Sequence, residues 1–169
     1  MIKSSGRYNR LLSISKVNGW TITVFAGIIT LLSLSSGSAA GFIVGVLVTS
    51  CGVLELIGRS KLVQFDERSA LLLPLSQGLL LMTVWIYSIF QLLTISPQTV
   101  ESTVSENTLR QLIILTDSES AVFNMVAQVL HITYITVIIV TAVYQGGLGI
   151  YYWKGARTIL DQRTGDQFP

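Results

Sequence analysis

The stretch VYQGGLGIYYWKGAR, residues 143–157, closes the longest apolar run of the chain. It mixes a glutamine, three glycines, two tyrosines and a tryptophan into a segment otherwise fit for lipid, and then reaches its first positive charge at Lys154. Aromatic side chains ahead of a lysine are the usual marking of a membrane–water boundary. Glycines and a lone amide just inside that boundary are what a spanning helix uses to approach a neighbour and to bond with it. Read this way, the stretch is the end of a transmembrane helix, and the rest of the chain can be laid out from it.

Working backward, the run extends from Val122 to Trp153. Three more runs precede it: Trp20 to about Ser36, Ala39 to Ile57, and Leu71 to Ile95. Each approaches or exceeds the roughly 17 to 25 apolar residues that span a bilayer. Half of the 169 residues are hydrophobic and only 12% are charged, against about 25% in a soluble domain. The expected fold is all-α, a four-helix transmembrane bundle of two antiparallel hairpins. The Ser-Ser-Gly-Ser linker at 35–38 makes the first hairpin tight. Pro74 falls in the first turn of the third span, where its missing N–H costs least. Pro97 is expected to stop that span.

Basic residues set the orientation. All except Arg110 lie in the N-terminal tail, the linker 58–70 or the C-terminal tail. With four spans these three segments share a side, and the positive-inside rule makes that side the cytoplasm. Residues 1–19 are then a basic cytoplasmic tail or interfacial helix, 20–153 the transmembrane domain, 96–121 an exoplasmic loop and 154–169 a cytoplasmic tail. The expected location is a cell membrane, the inner one in a Gram-negative bacterium. Segment 7–18, RYNRLLSISKVN, suits a short helix on a membrane surface. ENTLRQLIIL, residues 106–115, offers a helical pattern within the loop, expected as a lid on the outer end of the bundle. A basic tail, an apolar run and SSGSAA also resemble a cleavable signal with its site near Ala39 or Ala40. Cleavage there would leave three spans in the same orientation.

Small and polar residues show which faces meet. Gly41, Gly45, Thr49 and Gly52 form one smooth face of the second span, and Thr23, Gly27 and Thr30 form a similar one on the first. In the fourth span Asn124, Gln128, His131, Ile135, Ile138, Ala142, Gln145, Gly149 and Tyr152 recur in steps of four and three, a heptad seam. The third span has a matching seam through Gln77, Ser88 and Gln91. The third and fourth spans are therefore expected to face each other, bridged by amide hydrogen bonds near both ends. Gln77 would meet Gln145, and Gln91 would meet His131 or Gln128. Such bonds are worth roughly 0.6 to 2 kcal/mol each. Gly146 and Gly149 would admit the neighbouring helix.

Glu55 is the only acid inside a span, and an intramembrane acid is a functional candidate with a partner to be named. The nearest partner in sequence is Arg59, one turn on. The sharper reading is a proton- or cation-handling carboxylate near Gln77 and Gln145. His131 is the only histidine and reads as a packing group, since zinc or haem would require a second ligand of suitable type. Cys51 reads as a small packing residue. No nucleophile–base pair, metal-ligand spacing or phosphate-cradling loop is present in the sequence. No catalytic, cofactor-binding or metal site is therefore expected, and no nucleic-acid partner, because the basic residues form no dense patch. Two functions fit. One is a non-enzymatic scaffold, assembly or accessory subunit that binds other membrane proteins, or itself, in the lipid bilayer. The other is a subunit of an oligomeric ion or small-solute channel or transporter, using Glu55, Gln77, Gln91, His131 and Gln145.

Overall fold

The computed structural model of the chain describes residues 5–96, 104–116 and 118–165. Pro97, with its expected helix stop, and residues 97–103 of the loop lie outside the described residues. Among the described residues the fold is all-α, with five helices: α1 Ser5–Ser35, α2 Ala39–Val63, α3 Ser69–Leu93, α4 Glu106–Thr116 and α5 Glu119–Gly165. Four of them, all but α4, are long and apolar enough to cross a membrane. The chain forms two compact units. One comprises residues 1–83 and 142–169, the other residues 84–141.

In the first unit α1 and α2 make an antiparallel hairpin. Gly37 takes φ 70°, the left-handed conformation that ends a helix without a Cβ penalty. The Ser38 N–H reaches back to the Ser33 carbonyl at 2.9 Å. The Ser38 side chain then caps α2 by accepting from the Gly41 N–H. Down the hairpin Gly41 faces Ser33, Gly45 faces Thr30, Gly52 faces Thr23 and Gly19 faces Leu56. A Cβ on Gly52 would stand 2.5 Å from Thr23 Oγ1 and 2.9 Å from the Thr23 backbone nitrogen. The threonines Thr23, Thr30 and Thr49 each donate to a carbonyl on their own helix. The threonines therefore serve close backbone packing and make no bond across the hairpin themselves. The expected use of Gly41, Gly45 and Gly52 is seen here; Gly27, expected on the α1 side, meets nothing within 4 Å.

The N-terminal segment differs from expectation. RYNRLLSISKVN is not a helix of its own: α1 runs unbroken through it. The physical reason is Leu11. It is fully buried in a cluster with Leu62, Leu73, Tyr152, Ala156 and Ile159, so α1, α2, α3 and α5 share one core. Gly155 makes room for it, since a Cβ there would collide with the Leu11 side chain. Tyr8 stacks on Phe65 with ring centroids 5.6 Å apart, tying the start of α1 to the α2–α3 turn. That turn is further fixed by Asp66, which accepts from the Arg68 N–H at 2.9 Å and pairs with Lys61 at 3.3 Å.

In the second unit, α3 and α5 touch where Trp85 Nε1 donates to the Ile138 carbonyl at 3.2 Å. The helix expected at 106–115 is α4, and it buries none of its residues. α5 is continuous through Trp153 and Lys154 to Gly165.

Candidate functional site

The polar residues of the first unit converge on Glu55. Gly19 and Gly52 bring the α1 and α2 backbones close together. That approach lets Asn18, one residue before Gly19, reach across: its Nδ2 donates to Glu55 Oε2 at 2.8 Å. From α5 the Tyr152 hydroxyl donates to Glu55 Oε1 at 2.5 Å. From α3, Gln77 interacts with the same carboxyl. Glu55 and Tyr152 are 0% exposed and Gln77 is 1% exposed. The Tyr144 hydroxyl, one ring outward, donates to Asn18 Oδ1 at 3.3 Å. One carboxyl thus joins four helices, with a neutral donor on each oxygen.

This corrects the expected Glu55–Arg59 pair. The Arg59 guanidinium donates instead to the Leu12 carbonyl at 3.2 Å. The ion pairs among the described residues are Lys61–Asp66 and Glu106–Arg110, and Glu55 belongs to neither. The reason is geometric. Glu55 points into the core while Arg59, half-buried, lies one turn further toward the polar end of α2, where the α1 backbone offers a carbonyl.

Gln77 and Gln145 come together as the seams predict, lining a shallow groove with Gly78, Gly146 and Gly149. The Gln77 side chain lies against Gly149, where a Cβ would stand 3.6 Å away. The amide bridge between them is not made. The Gln77 and Gln145 Oε1 atoms are both buried without a hydrogen-bond partner, and Gln77 Nε2 donates to Ser76 Oγ at 3.4 Å.

The outer amides also find no bridge. Gln91 Nε2 donates to the Tyr87 hydroxyl one turn back on α3, at 2.7 Å. His131 Nδ1 lies 2.7 Å from the Ala127 carbonyl on its own helix. Asn124, Gln128 and His131 are all exposed. Counting outward from the Trp85–Ile138 contact, α3 ends at Leu93 about where α5 reaches His131. The seam simply outruns its partner helix.

Sequence reasoning identified Glu55, Gln77 and Gln145 but missed Asn18 and Tyr152 as partners of the carboxyl, and Tyr144 as the partner of Asn18. Tyr152 carried a signal: it closes the heptad seam that includes Gln145 and Gly149, so it shares the inward face and is not only a boundary aromatic. Asn18 carried none, because nothing in its neighbourhood distinguishes a buried amide from a polar first turn. Tyr144 and Asn18 line a second groove, of about 380 Å³, with Ser13, Val17 and Thr21.

What this arrangement can do chemically is hold a carboxyl inside an apolar segment on neutral dipoles. A carboxyl so placed needs either a proton or a positive partner to avoid the cost of an isolated buried charge. No protein-family model matches the chain, and no curated protein or solved structure is significantly similar to it.

Proposed function

We propose that the chain is a small multi-pass membrane protein, both termini cytoplasmic, that acts as a non-enzymatic scaffold, assembly or accessory subunit for other membrane proteins. The observation that carries this reading is the division of its glycines. Gly19, Gly41, Gly45, Gly52, Gly58 and Gly155 are closed by neighbours that a Cβ would crowd, whereas Gly78, Gly146 and Gly147 meet nothing within 4 Å. Lipid gives helices no hydrophobic reason to associate, so small residues mark the faces where backbones can approach. One such face is spent inside the chain, between α1 and α2. Gly78 and Gly146 flank the open groove beside Gln77 and Gln145, which leaves a face suited to one further helix.

The rival reading, an oligomeric channel or transporter subunit, requires its polar residues to line a solvated path. Glu55, the one acid among them, has no exposed surface and is closed off within the protein instead, which favours the accessory role.

The test is in-membrane photo-cross-linking. A photoreactive side chain at Gly146 should give a discrete protein adduct, and one at lipid-facing Ile139 should give only lipid adducts. Gly78→Leu, which fills the groove without touching the α1–α2 packing, should abolish the protein adduct while the monomer remains folded. Lipid adducts alone at Gly146 would remove the proposal.

A further inference from the structure

We propose that Glu55 is a proton-binding site whose occupancy is transmitted, by a turn of the Asn18 amide, to the Tyr144 hydroxyl at the groove between α1 and α5. This goes beyond the accessory role and does not depend on it.

The argument starts from the direction of each hydrogen bond. Both carboxyl oxygens accept: Oε1 from Tyr152 and Oε2 from Asn18. Asn18 in turn accepts on Oδ1 from Tyr144. That chain of donors suits a carboxylate. When a proton from solvent binds Oε2, that oxygen becomes a donor and needs an acceptor. The donor end of Asn18 no longer fits there, but its acceptor end does. An asparagine amide has nearly the same shape either way round. Turned by half a rotation, it accepts from the Glu55 hydroxyl on Oδ1 and donates through Nδ2 to the Tyr144 oxygen. The phenol oxygen accepts as readily as its hydrogen donates. Tyr152 needs no change, because Oε1 accepts in both forms.

Every one of these groups is therefore bonded in both protonation states. The single net difference is that the Tyr144 hydroxyl hydrogen, turned inward onto Asn18 when Glu55 is ionised, is freed toward the groove when Glu55 is protonated. The groove carries the hydroxyls of Ser13 and Thr21 beside Tyr144. These hydroxyls can accept the released hydrogen.

Among the described residues no charged group is bonded to this carboxyl. α1 presents Asn18. α3 presents Gln77. α5 presents the hydroxyls of Tyr152 and Tyr144, with Tyr151 beside them. On the helix of Glu55 itself, Arg59 is engaged by the Leu12 carbonyl. An ion pair would be broken by proton uptake. A carboxyl held only by neutral groups can take up a proton and let it go with its surroundings intact.

The experiment is infrared difference spectroscopy against pH on the full chain in lipid nanodiscs. The expected result is a carboxylic C=O band distinct in frequency and midpoint from the broad band that the exposed Asp and Glu side chains give on acidification, together with a change in a tyrosine C–O band of the same midpoint. Glu55→Gln should remove both. Tyr144→Phe, which leaves Glu55 and its two donors in place, should remove the tyrosine change and retain the carboxyl band. That variant and the wild-type titration suffice if Glu55→Gln does not fold. A carboxyl band that fails to titrate while the helical circular dichroism stays constant would overturn the site. A tyrosine change that survives in Tyr144→Phe, or none in the wild type, would overturn the transmission. A midpoint that moves with sodium concentration would overturn the proton as the ligand in favour of a cation.

Discussion

The Tyr152 hydroxyl and the Glu55 carboxyl, 97 positions apart in sequence, meet at 2.5 Å in a fully buried contact between α5 and α2. The contact makes α5 part of the same polar centre as the α1–α2 hairpin.

Tyr152→Phe keeps the ring in the core and removes only the donor. It leaves Glu55 Oε1 buried without its partner, a loss of about 1–3 kcal/mol. Thermal unfolding in detergent should show a lowered Tm. In a double-mutant cycle with Glu55→Gln the two losses should be well short of additive. Additive losses would mean that the two side chains do not act on each other.

Gly52→Ala and Gly146→Ala form a matched pair. The first puts a methyl group against Thr23, including its backbone nitrogen, and should cost about 1–3 kcal/mol by overpacking. The second meets open space and should leave the stability of the isolated chain unchanged or slightly raised, since alanine is the better helix former. Equal effects of the two in unfolding titrations would contradict the packing of α1 on α2.

Leu11→Ala tests whether the N-terminal basic segment belongs to the core. Leu11 is 0% exposed among Leu62, Leu73, Tyr152, Ala156 and Ile159. Its truncation should cost about 2–5 kcal/mol. Leu12→Ala, a partly buried neighbour, should cost less. A free tail or a surface helix would make both substitutions silent in a stability measurement.

Asp66 supplies a pH dependence outside the spans. The Arg68 backbone N–H, followed by Lys61, holds its carboxyl below the ordinary carboxylate range. A group depressed in the folded state contributes stability that is fully present above its unfolded pKa and lost as the pH falls through the folded one. The Tm difference between the wild type and Asp66→Asn should therefore be present at neutral pH and vanish in acid, below the usual range of an aspartate. A difference that grows in acid would reverse the assignment.

The fold was largely legible because lipid makes simple demands. Runs of apolar residues located four long helices, and the glycine spacing on α2 located the face that packs on α1. The start of α1 was not legible. A basic amphipathic segment reads the same whether its leucines lie on a membrane or, as Leu11 does, under Tyr152 and Ile159. The site was half legible. Glu55 stood out because acids are rare in spans, but its partners lie 37 and 97 positions away, and Arg59 at one helical turn was the nearer guess. Periodicity placed Gln77 beside Gln145, but side-chain rotation decides whether two adjacent amides bond. Periodicity also carried the seam past His131, because a repeat in one helix does not record where its neighbour ends.

The turn at residues 36–38 has a consequence for how α1 and α2 come together. It contains no charge, and it is short enough to hold α1 and α2 side by side. Its serine hydroxyls are engaged locally: Ser36, like Ser35 before it, donates to a carbonyl of the preceding turn, and the Ser38 oxygen accepts from Gly41. The turn therefore makes α1 and α2 a single hairpin unit, whose glycine–threonine contacts need no other part of the chain.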